Sequence, residues 1–411
     1  MMGTNVLTVV QKLQFTDLPA ANSLLKEFFA NNLPLKVRSV DLRPLPVSLN
    51  SITGIVLTTD DEKFFFKAHI EPSSADLEYY NADLLERAGY PTLKPIFRTP
   101  GTLTEHILLY EVVQLPTLFE VMRSADRGEH HAPAQILTIH EKLDDHLWQI
   151  YRNTLRTAGS AEHMKSPVHQ LFHNRLTGGR LDFFYPETAT IRLAGIALTF
   201  AELCNLHWII NGVSYSRTLR NIIDEAVCAL NPSSFNGSAI VGHGDAHNGN
   251  LFVDQGSSTV IYFDPAFAGL HSPFLDLVKP LYHNTFGQWL YFPAEVDSSI
   301  QISVSCQNGE LHVDHDYAIP DIRLQTARSK ITRVLRPMIN ALADMGELPV
   351  SWQSVLRSAF ACCPLLTMNL SDPGRFPDSV RTLGFSHVVQ CGSLGSVHGC
   401  GIGEIFADIF S

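Results

Sequence analysis

His243-Gly244-Asp245-Ala246-His247-Asn248-Gly249-Asn250 is the densest polar run in the chain, and Asp264 follows its last residue by fourteen positions. A short apolar entry, Ala239-Ile240-Val241, leads into it. Two short strands are predicted after it, over Leu251–Asp254 and Val260–Phe263, joined by the turn Gln255-Gly256-Ser257-Ser258. Asp245 and Asn250 then share one loop, and Asp264 closes the strand that returns across it. This spacing gathers two carboxylates and one amide around a single point. Oxygen ligands of that kind suit Mg²⁺, which keeps several waters and takes one or two carboxylates together with substrate phosphates. A carboxylate beside such a metal can accept the proton of an attacking hydroxyl.

The pattern His243-Gly244-Asp245 with Asn250 is similar to the H-x-D-x-x-x-x-N catalytic loop of protein kinases. Its particular form, H-G-D-x-H-x-G-N, resembles the aminoglycoside phosphotransferase and choline kinase group of small-molecule kinases. Asp264 matches that group's magnesium-binding aspartate. Protein kinases carry Asp-Phe-Gly there, whereas this chain has Asp264-Pro265-Ala266, a departure the small-molecule kinases share. Gly269-Leu270-His271-Ser272-Pro273-Phe274-Leu275-Asp276-Leu277 is likewise similar to the stretch that follows in the group. The resemblance implies an α+β, protein-kinase-like two-lobed fold: a small antiparallel-sheet N-lobe with one helix, and a larger, mainly helical C-lobe.

The first third fits that layout on its own terms. Asp17 to Asn32 predicts a leading helix, capped by Asp17 with Pro19 near its first turn. Val37–Leu45, Gly54–Thr59, Lys63–Ile70 and Ile107–Val113 predict strands, and Ser73–Ala88 predicts a helix. A kinase fold needs a strand lysine for the α- and β-phosphates and a helix glutamate to hold it. Lys67 lies in the strand Phe64-Phe65-Phe66-Lys67-Ala68, and Glu78 lies on the helix; Lys63, in a turn, and Glu86, near the helix end, are their rivals. The stretch Ser48 to Gly54 would cover phosphate with backbone N–H groups and the hydroxyls of Ser51 and Thr53, or it is an ordinary hairpin turn. By the resemblance, the backbone of Glu111 to Val113 pairs with adenine. The expected divisions are a leading segment 1–35, an N-lobe 36–115 and a C-lobe 116–411.

Beyond Leu115-Pro116, helices are expected over Leu118–Arg123, Ala134–Thr157, Ser216–Leu230, Asp321–Met345 and Trp352–Met368. Ile302–Cys306 and Glu310–Asp314 flank Gln307-Asn308-Gly309, a hairpin signal. Leu193–Ile210 is the longest apolar stretch, but Glu202, Asn205 and His207 within it point to a buried helix and not a membrane span. The tail from Asp372 has no clear reading.

Several features have plainer explanations. His243 and His247 are four apart, yet Gly244 and Gly249 argue for a loop, so neither is expected to bind metal. His243 is expected to hydrogen-bond structurally, His247 to do the same or orient the loop, and Asp276 to accept backbone N–H bonds from the loop. His312, Asp314 and Asp316 share a strand face that is expected to be solvated, His130-His131 sits in a polar loop, and Gly399-Cys400-Gly401-Ile402-Gly403 lacks the lysine of a nucleotide loop. Seven cysteines in irregular spacing, with no C-x-x-C pair, read as reduced thiols.

Among 411 residues, 30 are Lys or Arg and 41 Asp or Glu, giving a net charge of −11. That balance disfavours nucleic acid as a partner. No apolar signal-peptide core follows Met1, and the expected location is cytoplasmic. The resulting expectation is an ATP- and Mg²⁺-dependent phosphotransferase acting on a hydroxyl of a small molecule such as an aminoglycoside, amino alcohol or sugar. Asp245 serves as the catalytic carboxylate and Asn250 and Asp264 as metal ligands, while the segment between Lys279 and Arg333 and the stretch Asn369 to Arg375 are the candidates to shape the acceptor pocket. The alternatives are a kinase-fold nucleotide-binding regulator without turnover and a protein kinase. The first is disfavoured by the presence of Lys67, Asp245 and Asp264, the second by the lack of Asp-Phe-Gly and Ala-Pro-Glu segments.

Overall fold

The computed structural model describes residues 6–43, 51–69, 81–99, 106–129, 133–393 and 401–410. Glu78, Ser48 to Asn50, His130-His131 and Gly399-Cys400 lie outside the described residues. The chain divides into two compact units, one of residues 1–115 with 261–266, the other of 116–260 with 267–411.

In the first unit, five strands form one antiparallel sheet: β1 (Val37–Leu42), β2 (Ser51–Thr58), β3 (Lys63–His69), β4 (Phe97–Arg98) and β5 (His106–Glu111), in the order β1-β2-β3-β5-β4. Period-2 alternation sends Ile52, Val56, Phe66, Ala68, Ile107 and Leu109 into the core. Two helices, α1 (Val6–Leu13) and α2 (Leu18–Asn32), cover that face with Leu7, Val10, Ala21, Leu25 and Phe29. The leading segment 1–35, set apart in the sequence reading, therefore shares the sheet's core. Asp17 caps α2 by accepting the Ala20 N–H at 3.1 Å. Phe29 meets Phe66 edge-on at 4.9 Å, and burying each ring is worth about 1.5–3 kcal/mol. Residues 81–88 are helical.

Residues 261–266 were expected within the C-lobe, but their bonds explain why they belong to the first unit. Tyr262 accepts the Leu93 N–H and donates its own N–H to Pro91 O, both at 2.7 Å. Asn81 Nδ2 donates to Pro265 O at 3.0 Å.

The second unit is mainly helical. The long helix Pro133–Thr154 packs on the strand Gly237–Gly242, which is the centre of a three-stranded antiparallel sheet between Arg156–Ala158 and Gly269–His271. The expected 302–314 hairpin is present, as Ile302–Gln307 with Glu310–His315, and turns at Asn308 and Gly309, both with positive φ.

Leu193–Ile210 is not a helix. It holds the strand Ile196–Thr199, the short helix Phe200–Asn205 and the strand His207–Ile210. Gly195 turns the first hairpin at φ +87°, and a Thr199–Glu202 capping box starts the helix. His207–Ile210 then runs parallel to Glu310–Val313, with Trp208 and Ile210 buried and His207 exposed, and so short an apolar strand is not told from a helix segment by periodicity. The Asp321–Met345 helix is interrupted by a π-helical turn at Ile331–Leu335. The unread tail contains a further helix, Asp378–Gly392, nearly all of it buried.

Candidate active site

The polar run begins where the strand Gly237–Gly242 ends, and Asp276 lies beneath it. Gly244 N–H donates to Asp276 Oδ1 at 2.6 Å, and the Tyr151 hydroxyl donates to Asp276 Oδ2. A Cβ on Gly242 would meet the Asp276 carboxylate at 2.4 Å. Gly244 has φ +81°, and a Cβ there would meet Phe267 O at 2.4 Å, so conformation and space both require glycine. Behind the loop, Ser166 Oγ bonds His271 Nδ1 at 2.7 Å, and burial keeps the His271 ring neutral despite nearby Asp276.

The two loop histidines are not a helical metal pair. His243 is fully buried, and its Nδ1 accepts the Asp245 N–H at 3.4 Å. His247 caps the 3₁₀ turn Asn248–Asn250, its Nδ1 accepting the Gly249 N–H at 3.1 Å. Asn250 Nδ2 donates to the main-chain oxygen of Asp245 at 2.8 Å, which leaves the amide oxygen as the atom open to a cation. Asn248 N–H donates to Asn284 Oδ1 at 2.8 Å, tying the turn to the helix Val278–Phe286.

Asp245 is held at the centre of these contacts. Its side chain is 17% exposed, and Oδ1 has no hydrogen-bond partner among the described residues. Lys279 Nζ stands 3.7 Å from Oδ1 and His247 Nε2 3.9 Å. Burial pushes the carboxyl pKa up, but Lys279, His247, Arg175 and His243 together outweigh it and hold the group below the usual aspartate range. Burial lowers the Lys279 ammonium in turn, with Asp245 opposing. Lys279 Nζ also contacts His283 Nε2 at 3.0 Å, and burial keeps His283 neutral.

In the first unit, Lys67 Nζ bonds Asp264 Oδ1 at 2.6 Å. Lys67 sits mid-strand opposite Thr53 and Leu108, so the sheet fixes its direction. Asp264 has φ +56°, a left-handed conformation that aspartate tolerates better than most residues. Thr53 is 8% exposed and donates its hydroxyl to Arg43 O at 3.2 Å, so its proton is spent within the sheet and not on phosphate. Ser51 opens β2, Glu111 ends β5 exposed to solvent, and Val113 follows half-buried. The rival lysine, Lys63, is exposed, and the rival glutamate, Glu86, pairs with Lys94 at 2.8 Å.

Sequence reasoning did not pick out Lys279, His283, Asn284, Tyr151 or Arg175 as site residues. The Lys279–His283 spacing on a helix that starts just past Asp276 was the available signal for two of them. Tyr151 and Arg175 come from distant helices and left none.

Asp264 and Asn250 are hard oxygen donors, a carboxylate and an amide, and fit Mg²⁺ in kind. Asp264 Oδ2 carries no hydrogen bond among the described residues, and Lys67 takes only Oδ1. No helix among the described residues is long and apolar enough to cross a membrane.

No family model matches the chain, and no curated protein matches it in sequence. Solved structures do resemble it. A spectinomycin phosphotransferase with ADP and spectinomycin is 12% identical, over 90% of this chain and 98% of that one, at a TM-score of 0.39. An amicoumacin kinase with AMP-PNP and Ca²⁺ is 11% identical, over 90% and 92%, at 0.48. A macrolide 2′-phosphotransferase from Brachybacterium faecium is 11% identical, over 84% and 91%, at 0.38. By name these three are kinases or phosphotransferases of small molecules.

Proposed function

We propose that the chain is a phosphotransferase that moves the γ-phosphoryl group of ATP to a hydroxyl of a small molecule. The observation that carries this reading is Asp245: an ionised carboxylate on a tethered loop, its Oδ1 buried toward Lys279 and His247 and its side chain still 17% exposed. The exposed part of such a carboxylate is available to accept a hydrogen bond from an incoming hydroxyl. A carboxylate this acidic is a weak base, so its main work is alignment of the hydroxyl, which suffices for a loose phosphoryl-transfer transition state. Lys67 binds the α- and β-phosphates, its ammonium already directed by Asp264. Asp264 and Asn250 hold Mg²⁺, which when bound neutralises charge on the phosphates.

Asp245→Asn keeps the loop's shape but removes the ionised oxygen. Nucleotide binding, measured by calorimetry with Mg²⁺, is expected to persist, while phosphate transfer from labelled ATP falls by about 10²–10⁴-fold. Unchanged turnover in this variant overturns the assignment.

A further inference from the structure

We propose that Arg175, Arg180 and Lys279 form an anion subsite beside Asp245, so that the acceptor carries a carboxylate or phosphate group near its reacting hydroxyl. The proposal rests on the phosphotransferase reading and narrows it, away from aminoglycosides and amino alcohols.

All three groups belong to the second unit. Arg175 is on the helix His173–Thr177, Arg180 opens the helix Arg180–Phe184, and Lys279 is on Val278–Phe286. The helices of Arg175 and Lys279 both pack on the helix Trp352–Leu366. A chain of contacts joins the other two cations. Arg180 Nη1 donates to Leu366 O at 3.3 Å, Thr367 Oγ1 meets His283 Nε2 at 3.4 Å, and that nitrogen lies 3.0 Å from Lys279 Nζ, itself 3.7 Å from Asp245.

The charges do not balance. Asp245 is the carboxylate that acts most strongly on both Arg175 and Lys279. The Arg175 guanidinium is half-buried and has no hydrogen bond or ion pair among the described residues, while Arg180 spends one N–H on a carbonyl. Burial and then Arg180 pull the Arg175 pKa down to about 10, and both arginines weigh against the Lys279 charge. Among the other half-buried arginines of this unit, Arg217 pairs with Glu225 and Arg123 with Glu295, while Arg357 lies over the Phe410 ring. Three cations held against each other around one carboxylate stabilise a second anion, and a planar guanidinium suits carboxylate or phosphate.

Two measurements test this separately from the phosphotransferase reading. The first titrates wild type and Arg175→Gln with gluconate and with inorganic phosphate, by calorimetry, with and without a saturating non-hydrolysable ATP analogue and Mg²⁺. Binding of either anion to wild type, weakened about 10- to 100-fold in Arg175→Gln, is the expected result, and the two titrants distinguish carboxylate from phosphate. No anion binding, binding that the ATP analogue abolishes, or equal binding to both proteins overturns the subsite. The ATP-analogue outcome assigns the cluster to nucleotide phosphates instead. The second measurement follows labelled ATP across acceptors paired by charge, gluconate against glucose and a sugar phosphate against its parent sugar, with aminoglycosides alongside. Preference for the anionic member supports the proposal, and preference for the neutral or cationic one overturns it. Anion binding with no transfer to any acceptor leaves the subsite standing and counts against the phosphotransferase reading.

Discussion

Removing the carboxylate of Asp276 should both destabilise the second unit and slow transfer. Asp276 is 2% exposed and accepts two buried donors, the Gly244 N–H and the Tyr151 hydroxyl. In Asp276→Ala both lose their acceptor, at about 1–3 kcal/mol each, or about 2–6 kcal/mol together. Relief of the buried charge offsets part of that, so a net loss of about 3 kcal/mol is expected. Tyr151→Phe leaves Oδ2 without its donor and should cost about 1–3 kcal/mol. The two residues touch, so their double variant should lose less than the sum, by about 1–2 kcal/mol. All four tryptophans, Trp148, Trp208, Trp289 and Trp352, belong to the second unit, so the urea midpoint read by tryptophan fluorescence reports on that unit. Transfer should fall as well, because Gly244 N–H is the bond that sets the residue before Asp245. An Asp276→Ala protein within about 0.5 kcal/mol of wild type, with transfer intact, would refute the view that this carboxylate holds the loop.

Other outcomes follow from the same contacts. Because its cationic neighbours hold the Asp245 carboxyl low, the acid limb of kcat/KM should lie below the usual aspartate range. Lys279→Met removes the largest of those opposing charges, so the carboxyl pKa rises and the limb moves to higher pH; a limb that stays in place contradicts the assignment. The sign for stability agrees: a depressed carboxyl stabilises the fold at pH values above its unfolded pKa, and the contribution is lost as pH falls through the folded one. Arg381 is buried and donates to Leu370 O, Arg192 O, Phe376 O and Asp378 Oδ1 at 2.6–2.8 Å. Arg381→Met should therefore lower stability by more than about 3 kcal/mol in the same fluorescence unfolding, and a smaller change would mean that water replaces the guanidinium.

What could be read in sequence was local. The loop His243–Asn250 announces itself because a tight backbone path needs glycine at 244 and polar side chains that bond within a few residues. The first-unit strands were legible because β-branched and aromatic residues gather in short runs, with the polar turn Asp60-Asp61-Glu62 between two of them. Leu193–Ile210 misled because its strands and helix, Ile196–Thr199, Phe200–Asn205 and His207–Ile210, are each too short to show a period. The helix Asp378–Gly392 was invisible for another reason. It is enclosed on nearly all sides, and its Arg381, Thr382, Ser386, His387 and Gln390 read as surface residues although each is buried. The cations around Asp245 arrive on separate helices, and no spacing in the chain foretells a meeting set by packing.

The chain's return to its first unit at residues 261–266 has a consequence for biosynthesis. A nascent chain that has emerged only through Leu115 already contains the whole five-stranded sheet, but it lacks Tyr262, which bonds residues 91 and 93, and Asp264, the partner of Lys67. The unit is finished only once residue 266 has left the ribosome, by which time about 145 residues of its neighbour have been made. Until then Lys67 waits for its aspartate. For the same reason, recombination cannot exchange this unit as one continuous cassette: a graft of 1–115 carries the lysine and leaves Asp264 behind in the donor chain.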